Sequence, residues 1–176
     1  MKHVMIDIET LGDVSNSVIV SIGAVRFDLE TGETGEEFYR TIDIQSCLDN
    51  GLKVTGGTIQ WWMRNSKESR KAIIDGGYDL EVVLDHFVQF LQTGDVLWSN
   101  GLRFDVAILE DAYQAIRSTI PWDFRNERDV RTLVSFAPEI KSATVNTWNK
   151  TLHNAIEDCK LQIKYCSAIY NKLKIT

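Results

Sequence analysis

Five side chains in this sequence could hold or move charge together: Asp7 and Glu9 in "MIDIETLG", Asp105 in "NGLRFD", and His153 and Asp158 in "HNAIEDC". Asp7 and Glu9 interrupt an apolar run of Val4, Met5, Ile6 and Ile8. In a strand, alternate residues share a face, so both carboxylates point the same way. Two carboxylates that close repel, and burying them costs several kcal/mol unless a cation intervenes. An arginine or lysine from elsewhere, or exposure on an edge strand, would ordinarily satisfy such a pair. Four carboxylates and one imidazole also form the donor set of two-cation phosphoryl transfer. Mg²⁺ and Mn²⁺ favour oxygen ligands. Two such ions about 3.5–4 Å apart activate a water and stabilise the leaving oxygen of an in-line displacement. His153 is the natural base for that water, because an unperturbed imidazole titrates near about 6.5.

The elements that must position these groups follow from patterning. Residues 3–9, 17–28 and 36–43 read as strands, with turn chemistry in "DLETGE" joining the last two as a hairpin. The stretch 48–57 reads as a loop. Residues 58–75 have helical spacing with Thr58 as the N-cap, and 79–93 form a second helix from Asp79. A short strand at 95–101 precedes a helix at 105–118, a short strand and helix occupy 121–136, and 141–152 reads as polar loop. Asn154 and Glu157 have capping-box spacing, so the last helix starts near 155 and His153 stands outside it. Inside one helix, residues five apart diverge by about 140° and converge poorly. A meander followed by alternating helices and strands gives an α/β fold, a mixed sheet flanked by helices.

The 176 residues fit one domain, 1–176, large enough to bury a sizeable core. Three cysteines without CxxC spacing argue against a disulfide framework and for a reducing, cytoplasmic setting, bacterial or phage. No apolar run spans a bilayer, and the N-terminus lacks a signal-peptide core. The net charge of −6 excludes tight non-specific nucleic-acid binding unless cations or a basic patch compensate locally.

The three motifs "DIETLG" (7–12), "NGLRFD" (100–105) and "HNAIEDC" (153–159) resemble those of the DnaQ-like 3′-5′ exonucleases of the DEDDh type, in order and spacing. The stretches "TIQWWMRNSKESRKAI" and "RDVRTL" are similar to a subgroup containing phage-type exonuclease A and a bacterial 3′-5′ exoribonuclease-like branch. Asn100-Gly101 stands where many members carry His-Asn. The resemblance implies a ribonuclease-H-like five-stranded sheet, antiparallel at its N-terminal meander and then parallel. It implies a metal-dependent enzyme with two divalent cations, Mg²⁺ or Mn²⁺, that releases nucleoside 5′-monophosphates from single-stranded DNA or RNA 3′ ends. Asp7, Glu9 and Asp158 then hold the ion that carries the attacking water, Asp7 and Asp105 serve the second ion, and His153 is the base. Thr10, Leu11 and Gly12 meet the terminal nucleotide, with Leu11 wedged against its base.

Further substrate contacts are read from residue type. Trp61 and Trp62 diverge by about 100° on a helix. Either both are buried, or one belongs to the core and the other stacks on a base, worth about 1–3 kcal/mol; the sequence does not say which. Arg64, Lys67, Arg70 and Lys71 form one basic run, and Arg125, Arg128 and Arg131 another. Both suit solvated surface or phosphate contact, with Arg128 and Arg131 favoured for phosphate. His3 and His86 have no acidic cluster beside them and are structural. Two rival readings remain: a binding module on the same fold that does not cleave, and an endonuclease of the same superfamily. A homodimer is left open, and no membrane partner is expected.

Overall fold

The computed structural model describes residues 1–67, 69–148 and 154–174. Strands β1 (His3–Thr10), β2 (Ile19–Phe27) and β3 (Thr34–Thr41) form an antiparallel meander. Two parallel strands, β4 (Val96–Ser99) and β5 (Glu127–Asp129), extend it into one sheet of order β3-β2-β1-β4-β5. Alternation along β1 sorts its side chains between two cores. Val4, Ile6 and Ile8 pack with Phe87 of helix Leu80–Phe90 and Leu109 of helix Asp105–Ala115. Met5 packs on the other face with Val25, Trp98 and Ile163 and Tyr165 of the long helix Ala155–Lys174. Asp7 and Glu9 continue the Met5 face, beneath the start of that helix. Among the described residues, no helix is long and apolar enough to cross a membrane.

Helix 44–49 begins inside what sequence reading left unassigned and runs into the expected 48–57 loop, capped by Asp43, which accepts from the Ser46 N–H at 3.0 Å. The expected helix 58–75 is two pieces, Gly56–Arg64 and Lys71–Asp75, with Thr55 rather than Thr58 at its N-cap position. Local polar bonding ends the first piece. The Asn65 amide donates back to the Trp61 carbonyl at 2.9 Å, and the Ser66 hydroxyl accepts from the Ser69 N–H at 3.2 Å. Where polar loop is expected from 141, the chain forms a helix, Pro138–Thr147, and residues 149–152 of that stretch lie outside the described residues. Proline suits its first turn. Its hydroxyls are satisfied inside the helix, as where Thr144 donates to the Ile140 carbonyl at 2.8 Å.

A buried, bidentate ion pair lies at the edge of the core. Arg26 and Asp95, 5% and 6% exposed, meet through both guanidinium arms at 2.9 and 3.0 Å. Arg26 also donates to the Phe90 carbonyl, and Asp95 accepts from the Gln92 N–H. A buried carboxylate is thus tolerated here because its lone pairs are filled.

Gly23 sets the height of helix Ala155–Lys174 above the sheet. It pairs with Asp7 across β1 and β2, and a Cβ there would lie 2.6 Å from the Ala155 carbonyl carbon. The small Cys159 follows one turn later, its thiol 3.5 Å from the Met5 carbonyl. Gly23→Ala is therefore expected to push the helix off the sheet and cost about 1–3 kcal/mol, an overpacking penalty. Urea denaturation reads this as a lowered midpoint, and an unchanged midpoint contradicts the close-approach account.

Candidate active site

Three carboxylates from the two ends of the chain converge at the C-terminal end of β1. Asp7, Glu9 and Asp158 each offer an oxygen, and these oxygens lie within 4.8 Å of one another. β1 supplies the first two by alternation. The final helix supplies Asp158 from its first turn, where the helix dipole favours a negative charge. Asn154 caps that turn, accepting from the Glu157 N–H at 3.2 Å.

Asp105 begins helix Asp105–Ala115 and is 4% exposed. Its Oδ1 accepts from the Ile8 N–H at 3.2 Å, on the side of β1 where pairing with β4 has ended. It takes over a backbone donor that the sheet leaves open. It stands beside the three converging oxygens without being one of them.

Asp7, Glu9 and Asp105 form no ion pair with a basic side chain among the described residues. Burial first, then the charges of Asp105, Glu9 and Asp158, pushes the Asp7 carboxyl well above the usual carboxylate range. Burial, then Asp158 and Asp105, pushes Glu9 up to about 8. Burial raises Asp105 to about 6 against the opposing bond from Ile8. Such a set, all oxygen and short of positive charge, fits hard divalent cations.

The other expected residues sort clearly. Thr10 is buried, with its hydroxyl on the Gly12 carbonyl at 2.6 Å and its carbonyl accepting from the Trp62 indole at 2.7 Å. Trp62 is 4% exposed and Trp61 41%, so of the pair only Trp61 offers a face to solvent. Leu11 is 7% exposed and packs in the core. A side chain at Gly12 would collide with the Ser17 hydroxyl, which gives that glycine a packing role. Arg131 folds over Gly101 beside Asp105 and donates to the Asn100 carbonyl at 2.9 Å, while the buried Asn100 Oδ1 has no hydrogen-bond partner among the described residues. Arg128 is not brought to the cluster. It pairs in register with Trp98, level with Met5, and turns back on the Arg125 and Glu127 carbonyls. Asp129 caps the helix that follows β5, accepting from the Thr132 N–H. His153 lies outside the described residues.

Sequence reading missed Gln162. Its Nε2 donates to Asp7 Oδ1 at 2.8 Å, from a buried position one turn beyond Asp158. The i,i+4 spacing from Asp158 was the available signal, since it places both on one helical face.

The family model for the 3′-5′ exoribonuclease Rv2179c-like domain matches residues 2–170. An exodeoxyribonuclease of Enterobacteria phage T4 is 26% identical over 201 residues, covering 94% of this chain and 88% of the phage protein. E. coli exonuclease I in complex with a dT13 oligonucleotide has a TM-score of 0.73 and 14% identity, over 98% of this chain and 42% of that one. The chain thus spans about two fifths of exonuclease I. The nuclease domain of 3′hExo, a DEDDh family member bound to rAMP, has a TM-score of 0.67 and 13% identity, over 97% and 92% of the two chains. The likeness of these structures fixes a ribonuclease-H-like fold.

Two outcomes test the site. The raised Glu9 means the folded protein keeps a proton that the unfolded chain has released, between its ordinary value of 4.5 and about 8. Stability of metal-free protein must then fall as pH rises through that window. Mn²⁺ needs ionised ligands, so it should raise Tm more at about pH 8 than at about pH 6. Scanning calorimetry checks both, and a Mn²⁺ effect independent of pH contradicts the ligand set. Separately, Gln162→Leu should weaken Mn²⁺ binding about tenfold to a hundredfold in calorimetric titration, as loss of a hydrogen bond behind a ligand does. Unchanged affinity would show that Asp7 needs no such support.

Proposed function

We propose, from the premise that this chain belongs to the 3′-5′ exoribonuclease Rv2179c-like domain family, how its residues carry out hydrolysis. The chain is a 3′-5′ exonuclease. The reading is that residues 1–176 form one domain that removes nucleoside 5′-monophosphates from single-stranded 3′ ends with two divalent cations, Mg²⁺ or Mn²⁺. The convergence of Asp7, Glu9 and Asp158 within 4.8 Å carries it.

In this reading Asp7, Glu9 and Asp158 would hold one cation, and Asp7 with Asp105 would hold the second. The pair supplies a more acidic water and stabilisation of the leaving oxygen. His153, just before the capped helix, takes the proton of the attacking water. Water oxygen adds to the terminal phosphorus, and the 3′-oxygen of the preceding nucleotide leaves with a proton. Gln162 keeps Asp7 turned toward the cluster, and the Ile8 N–H keeps Asp105 turned the same way. Trp62 holds the Thr10 carbonyl and so shapes the backbone expected to meet the terminal nucleotide. The exposed Trp61 is the stacking candidate.

The family description names RNA and the phage relative's name indicates DNA. Matched 5′-labelled DNA and RNA oligonucleotides with Mn²⁺ decide between them. On the better substrate, the products should form a ladder shortening from the 3′ end, and circular substrates should stay intact. Asp7→Asn should lower kcat at least about a thousandfold, equivalent to about 4 kcal/mol of barrier. Cleavage of circles would favour the endonuclease reading, and full activity of Asp7→Asn would remove the cation-based mechanism.

A further inference from the structure

Two open grooves reach the acidic cluster from opposite sides, and a substrate strand can leave by either. The first runs past Glu9 and Asn154 between the ends of β2 and β3 and helix Lys71–Asp75. The second runs from Asp7 and Asp158 between Asn100, after β4, and Lys141 of helix Pro138–Thr147, floored by Gln162 and Tyr165. We infer that the second groove seats the phosphodiester upstream of the scissile one, with Lys141 as its cation. This rests on the exonuclease reading above and adds the path of the strand.

Charge separates the grooves. The cation of the first, Lys71, already pairs with Asp75 on its own helix. With Glu9 on the opposite wall, that groove offers a phosphate no uncompensated positive charge. Lys141 in the second groove forms no ion pair with a carboxylate among the described residues. Its ammonium lies 5.6 Å from the centre of the Tyr165 ring, so the stem is packed and the charge is held at the wall.

The sequence of this wall points the same way. From Ile140 to Trp148 the chain contains Lys141 and no aspartate or glutamate, within a protein of net charge −6. An acid-free stretch beside an acidic centre suits a polyanion that must approach that centre.

Steady-state kinetics with two substrates tests this. The p-nitrophenyl ester of thymidine 5′-monophosphate offers a scissile diester and no upstream phosphate, whereas a single-stranded oligonucleotide offers both. Lys141→Ala should raise KM for the oligonucleotide about tenfold more than KM for the ester, the scale of a lost charged hydrogen bond. Lys141→Arg should restore most of the difference. The slope of log KM against log salt for the oligonucleotide should shrink by about 0.7, one phosphate contact on a single strand. Lys71→Ala should leave the ratio of the two KM values near that of the wild type. Equal effects of Lys141→Ala on both substrates, or a ratio that moves with Lys71→Ala instead, overturns the assignment. If the wild type hydrolyses neither substrate with Mn²⁺, the exonuclease reading fails and the groove falls with it.

Discussion

Negative charge gathered at the end of β1 governs this structure. The protein deals with buried carboxylates in two ways. Asp95 receives a bidentate guanidinium and a backbone N–H, so its burial is settled within the chain. Asp7 and Glu9 receive no such partner among the described residues, and burial together with the charges of Asp105 and Asp158 raises the proton affinity of both. A fold that provides a matched arginine at one buried acid and withholds it at another leaves room for something from outside. Hard cations, and through them a phosphate, are what oxygen donors in this arrangement attract.

Positioning falls to one helix. Asp158 reaches the cluster because helix Ala155–Lys174 lies low on β1 and β2, over a residue without a side chain, Gly23. The same helix returns one turn later with Gln162, whose amide fixes the orientation of Asp7. One rigid element therefore contributes a carboxylate and the support for another carboxylate on a different strand. Asp105 is treated alike by β1 itself, through the Ile8 N–H. Side chains held by second partners in this way keep their geometry before any ion or substrate arrives.

Much of this was legible in the sequence. Alternation placed Asp7 and Glu9 on one face, and capping spacing at Asn154 started the last helix correctly. The meander and the mixed sheet followed from patterning, and the parallel strands from the family resemblance. What escaped depended on contacts between distant residues. Helix Pro138–Thr147 looked like loop because its hydroxyl residues favour turns in isolation, whereas here they bond to carbonyls one turn back. The break after Arg64 arose from Asn65 and Ser66, whose polar side chains compete with the helix over a distance that periodicity does not register. Gln162 has no signature of its own, since its role exists only where Asp7 happens to lie. The two tryptophans could not be separated until the fold turned one indole onto the Thr10 carbonyl.

Diffraction from crystals soaked in Mn²⁺, recorded for anomalous scattering, tests the central claim most directly. The account predicts ions bound by the carboxylate oxygens of Asp7, Glu9 and Asp158, with Asp105 facing a second one. Finding those carboxylates dispersed, or neutralised by arginine or lysine with no manganese among them, would contradict it.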